Sequence, residues 1–150
     1  MKRVLFLTIV LVGLVLVGCK SKKAAMSTLA GLDGEWNIVE MNGAKLNPDE
    51  TKQLMVFDVN GKTISGNAGC NRMSGKIDYE ASKEKGIRFS RIIATRMACM
   101  DMRYEDELLK TLDSVVRFDK EEGGSTKTSE SFAFYGTDGS KLIVIEKKLR

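Results

Sequence analysis

The chain contains no histidine. That removes the commonest general base and the commonest neutral metal ligand. No serine or cysteine stands in a nucleophile motif, and no glycine-rich phosphate loop leads into a helix. Carboxylate pairs such as Asp106 and Glu107 fall on what reads as the solvated side of a helix. The sequence therefore offers no catalytic residue, no cofactor-binding residue and no metal site of hard or borderline donors, and it is read as a non-enzyme. Charge of one sign is also scarce. The 24 Lys and Arg face 20 Asp and Glu, with no concentrated basic face carrying interleaved aromatics, which argues against nucleic acid as a partner. Hydrophobic runs are short. The longest, from Val4 to Val17, is broken by Thr8 and Gly13 and falls below the roughly 20 residues that a transmembrane helix needs.

That short run is the most informative part of the chain. Lys2 and Arg3 precede it, the small residue Gly18 closes it, and Lys20, Ser21, Lys22 and Lys23 follow. A basic start, a short apolar stretch and a small-residue cleavage site make a secretory signal peptide. Leu16-Val17-Gly18-Cys19 also resembles the lipobox of bacterial lipoproteins. The resemblance implies cleavage before Cys19, a diacylglyceryl thioether on its sulfur and acylation of its new amino group. The expected organisation is a lipoprotein signal peptide at 1–18, a tether at 19–29 and one domain at 30–150. Each buried CH₂ contributes about 0.8 kcal/mol and a single chain binds only reversibly, so several chains on Cys19 would hold the protein on the membrane. Losing Lys2 and Arg3 leaves 22 cations against 20 anions, and the tether lysines suit anionic headgroups. No acid follows Cys19 directly. By resemblance to outer-membrane lipoproteins, the expected location is the cell envelope, on the outer membrane facing the periplasm.

Two cysteines remain, Cys70 and Cys99. In an exported chain an even pair reads as a disulfide, closing a loop of about 30 residues worth roughly 3 to 4 kcal/mol in the chain-entropy model. Two reduced cysteines buried as small hydrophobes are the alternative.

The domain reads mostly as strands: Gly34 to Met41, Gln53 to Val59, Lys62 to Gly66, Lys76 to Tyr79, Gly86 to Phe89, Arg117 to Lys120, Ser131 to Tyr135 and Lys141 to Glu146. Asn42-Gly43 is a turn signal. Asn60-Gly61 between two strands predicts a type I′ hairpin, because that turn needs positive φ at both central residues. One segment has helical period: Tyr104, Leu108, Leu112 and Val115, widened by Leu109 and Val116, with Asp101 as candidate cap and Glu105, Asp106 and Glu107 suited to the positive end of the helix dipole. Glu121 to Glu130 reads as a mobile loop. The expected fold class is mainly β, an antiparallel sheet curled into a small barrel with one α-helix near 101–116 packed on it.

The middle of the chain carries a second resemblance. Gly66-Asn67-Ala68-Gly69-Cys70-Asn71-Arg72-Met73-Ser74-Gly75 is followed by Ala94-Thr95-Arg96-Met97-Ala98-Cys99, with Gly34-Glu35-Trp36 upstream. Together they resemble the META domain family, which includes bacterial heat-shock lipoproteins. The likeness covers roughly Leu29 to Glu146. Met100 stands where the family often has proline. Read from the residues alone, these motifs are turn chemistry: glycines for positive φ or close approach, and Asn71 bonding nearby backbone. The functional alternative is that Asn71, Arg72, Thr95 and Arg96 form a partner surface.

Two function classes follow. The first is a lipid-anchored, monomeric envelope domain that meets the membrane through Cys19 and binds an unidentified envelope protein, or supports the envelope under stress, as the family resemblance implies. The second is a carrier whose barrel holds a small apolar molecule or a soft metal. Met97, Cys99, Met100 and Met102 are soft donors that suit Cu(I), but Met97, Met100 and Met102 also read as gap fillers packing the core where strand passes into helix, and a disulfide at Cys99 would remove the best ligand. A core filled by Trp36, Phe57, Phe89, Phe132 and Phe134 would favour the first class, and an open apolar cavity the second.

Overall fold

The computed structural model describes residues 29–79, 85–121 and 129–148. The expectations for the signal peptide, for Cys19 and for most of the tether, and the centre of the 121–130 loop, lie outside the described residues.

Among the described residues, after a short helical stretch at 29–31, nine strands and two further helices follow one another. They are β1 (Gly34–Met41), β2 (Ala44–Lys45), α1 (Pro48–Thr51), β3 (Leu54–Asp58), β4 (Thr63–Asn67), β5 (Arg72–Tyr79), β6 (Ile87–Ala94), α2 (Arg103–Asp113), β7 (Arg117–Glu121), β8 (Ser131–Tyr135) and β9 (Lys141–Lys147). The sheet runs β6-β5-β4-β3-β1-β9-β8-β7, with β2 added on β1. Every pairing between named strands is antiparallel. The sheet curls until its two edges meet at one end. There Ile87 N–H donates to Val116 O at 3.2 Å and Phe118 N–H donates to Lys85 O at 3.0 Å. At the other end the edges part, and α2 packs against β6. The expected β class, curled sheet and single long helix are all present.

Alternation along each strand sends one apolar set inward. Trp36, Ile38, Met55, Phe57, Ile64, Ile77, Ile87, Phe118, Phe134, Ile143 and Ile145 are all buried. Six aromatic rings fill the interior. Phe134 stacks on Phe57 at 6.0 Å and meets Phe89 edge-on at 5.6 Å, Trp36 meets Phe132 at 5.2 Å, and Phe118 lies between Phe132 and Phe134. Offset and edge-to-face pairs add to burial, and Trp36 satisfies its indole N–H on Leu32 O at 2.6 Å.

Three local expectations need correction. The type I′ geometry occurs at Asn42-Gly43, with φ of 49° and 82° between the paired Met41 and Ala44. At Asn60-Gly61 the loop is longer, since Asp58 pairs with Thr63. There the Asp58 carboxylate accepts Gly61 N–H at 2.7 Å, and Lys62 takes the positive φ of 53°. The helix is shorter than 101–116, because Asp101 does not cap it. Asp101 instead bonds Arg103 through its backbone N–H at 3.0 Å and its guanidinium at 2.8 Å. The Arg103 side chain, then its backbone, hold the Asp101 carboxyl at about 2. What that exposed pair contributes is present above the ordinary carboxylate range and is lost as pH falls toward 2; its weight is small. Finally, the inward face of α2 is Glu105, Leu108, Thr111 and Leu112, whereas Tyr104 is exposed.

β6 runs five residues past the expected end at Phe89 because it carries a bulge. Its register against β5 shifts between the Lys76–Ser90 pair and the Ser74–Ile93 pair. Ile87 and Phe89 are buried before the shift, while Ile92 and Ala94 pack on the core after it, so the inward phase changes by one residue. The extra residue is Arg91, held at φ 51°. Gly75 lies opposite; a Cβ there would overlap Ile92 Cδ1 and sit 3.0 Å from Ser90 O. This is the physical reason for the last glycine of the Gly66–Gly75 motif.

Candidate functional site

The two motifs meet where the turn between β4 and β5 lies under the segment that joins β6 to α2. Cys70 and Cys99 are joined as a disulfide, with Cα atoms 6.4 Å apart. The cysteine arithmetic and the geometry agree. The Cys99 sulfur is thereby withdrawn as a soft-metal thiolate, and Met97 and Met100 are exposed rather than packed in the core. The disulfide weighs against the Met-Cys segment as a copper site, while the exposure of Met97 and Met100 corrects their reading as core gap fillers. Among the described residues no group of three or more Cys, Asp or Glu is placed to hold a metal ion.

Asn71 is the centre of the arrangement and is fully buried. Its Oδ1 accepts Met97 N–H at 2.7 Å and the Thr95 hydroxyl at 2.8 Å. Its Nδ2 donates to Glu105 Oε1 at 2.9 Å, and its backbone N–H donates to Glu105 Oε2 at 2.8 Å. Glu105 belongs to the first turn of α2 and is itself buried. One side chain therefore ties the β4–β5 turn, the segment after β6 and the start of α2. Gln53 completes the network from β3's approach, donating through Nε2 to Ala68 O at 3.1 Å and to Tyr104 O at 2.8 Å. Nothing in the sequence marks Gln53 as part of a site, and Glu105 there reads only as a dipole-matched helix start.

Of the four candidate surface residues, the structure brings all four together but turns them differently. Asn71 is corrected: it is internal, its side-chain amide engaged by Met97, Thr95 and Glu105. Thr95 is part of the same staple, its hydroxyl also accepting Arg72 N–H at 3.2 Å. Arg72 and Arg96 are exposed, and neither has an ion-pair partner among the described residues. Around them Ile93, Met97 and Met100 are 67%, 55% and 108% exposed, so the far end of the sheet presents cations beside apolar side chains.

The META domain family model matches residues 27–147. Among solved structures, the chain is similar to one described as the NMR structure of the protein from Burkholderia xenovorans, with a TM-score of 0.61, 18% identity, and coverage of 90% of this chain and 94% of that one. At that identity the likeness speaks to the fold alone. No curated protein matches the chain. Among the described residues no helix is long and apolar enough to cross a membrane.

Proposed function

The chain belongs to the META domain family, and from that premise we propose that it is a lipid-anchored cell-envelope protein that works by binding and performs no chemistry of its own. The observation that carries this reading is Leu16-Val17-Gly18-Cys19 closing the apolar run that begins at Val4. On this reading a lipidated cysteine heads the tether, and the destination is the outer membrane facing the periplasm. The filled aromatic interior supports a module that acts through its surface over a carrier of small ligands. The partner we assign is an envelope protein, met through Arg72 and Arg96, and the process is support of the envelope under stress.

The test is crosslinked capture from intact cells, comparing wild type with Arg72→Ala/Arg96→Ala and with Cys19→Ala. Both arginines are exposed, so the double variant should keep its stability within about 0.5 kcal/mol per site. It should lose the crosslinked partner, and Cys19→Ala should lose it through mislocalisation. Unchanged capture by the arginine variant would move the working surface elsewhere. Turnover in a broad hydrolase screen, abolished by one point mutation, would overturn the non-enzyme reading.

A further inference from the structure

The sequence shows no basic run, yet the fold builds a basic face. Strands β4, β5 and β6 bring Lys62, Lys76, Arg88 and Arg91 onto one exterior surface with the hydroxyls of Thr63, Ser65, Ser74 and Ser90. Two shallow depressions of about 440 and 410 Å³ lie there, and both are lined by Lys76 and Arg91. Lys62 lines the first, and Ile93 the second. Asp78 is the acid within the first depression, paired in register with Arg88. Among the described residues no carboxylate stands within ion-pair distance of Lys62, Lys76 or Arg91.

Arg91 is the sharpest signal. It is the bulged residue, and it holds a left-handed backbone that glycine would adopt at less cost. The bulge aligns its side chain with Lys76 in place of the inward direction that unbroken alternation would give. Bulges and strained non-glycine residues gather at functional sites. The bulge and the exposed Arg88 also discourage edge-to-edge pairing by β6, so the face is better suited to a ligand than to another strand.

Its position names the occupant. The chain enters the domain at this end: the Asp33 carboxylate accepts Val59 N–H at 3.1 Å, in the loop that carries Lys62. The ten or so residues from Cys19 to Leu29 span at most about 36 Å when extended. We propose that the Lys62–Lys76–Arg91 face docks on the anionic phospholipid headgroups of the membrane that holds the Cys19 acyl chains, with hydroxyls and cations receiving phosphate oxygens. This rests on the membrane-anchored reading above and adds an orientation to it: the β4–β6 exterior lies against lipid with its Lys62 end nearest the membrane, and Arg72, on the same exterior of β5, lies at the end farthest from it.

The test uses the full chain reconstituted in vesicles of phosphatidylcholine alone, or with about one third phosphatidylglycerol. Acetylation of individual lysines is read by mass spectrometry. Lys62 and Lys76 should react roughly fivefold more slowly on the anionic vesicles, from one membrane-proximal charge each. Salt at about 0.5 M should restore them. Lys45 and Lys110, exposed on β2 and α2, should not change. Arg91→Gly removes the cation and the strained backbone together. It should melt no lower than wild type, yet lose the shielding. Equal reactivity on both vesicles overturns the proposal, as does shielding that survives Arg91→Gly. Shielding in intact cells but not on anionic vesicles assigns the face to an acidic protein and overturns it too. Flotation with the vesicles is scored beside acetylation: a chain that floats unshielded overturns the docking alone, whereas a chain that does not float overturns the lipid anchor and the docking with it.

Discussion

Asn71→Ala is expected to lower stability by roughly 3 kcal/mol, and the melting temperature by about 10 °C, although it deletes only a small polar group. The variant leaves Met97 N–H without its acceptor and leaves the buried Glu105 carboxylate with one donor instead of two. A buried group left unsatisfied costs about 1 to 3 kcal/mol, and a charged one more. Glu105→Gln should also destabilise, because the amide must aim its NH₂ at either the Asn71 side-chain donor or the Asn71 backbone N–H. Thermal unfolding followed by circular dichroism checks both. If either variant melts within about 2 °C of wild type, the network is not a staple.

Opening the disulfide is the second large effect. Cys70→Ser should cost about 3.5 kcal/mol, as a 29-residue separation implies in the chain-entropy model, while the barrel remains recognisable because no core strand pairing depends on the bond. Asn71 and the disulfide fasten the same two segments. Their losses should therefore be less than additive, since the segment freed by one variant has less left to lose in the other. Chemical denaturation of Cys70→Ser, Asn71→Ala and the double variant reads this directly. Strict additivity would mean that the two fastenings act independently.

How far the sequence revealed these features depended on whether their cause was local. Strands around Trp36 and Phe57 and the helix around Leu108 and Leu112 were legible because burial repeats with the period of the element. The end of β6 was not, since the inward phase jumps at Arg91 and an interrupted alternation looks like the end of a strand. Asn60-Gly61 resembled a two-residue hairpin, but the Asp58 carboxylate captures Gly61 N–H and lengthens the loop. Glu105 is the clearest case of a non-local cause. Its partner lies 34 positions earlier in the chain, and nothing near Glu105 marks it as buried. The motif residues were correctly legible as turn chemistry, whereas which of them face outward was not, because Asn71 and Arg72 are neighbours on opposite sides of one strand's beginning. The basic face was invisible for the same reason: Lys62, Lys76 and Arg91 are spread over 30 residues and meet only through pairing of β4, β5 and β6.

The anchor is the centre of the functional account, and it can be read in one spectrum. Mass spectrometry of the mature N-terminal peptide, taken from the membrane fraction of its native cells, should show a chain beginning at Cys19 with a diacylglyceryl group on sulfur and an acyl group on the amino terminus. An unmodified Cys19, or a mature chain that begins elsewhere, would contradict it.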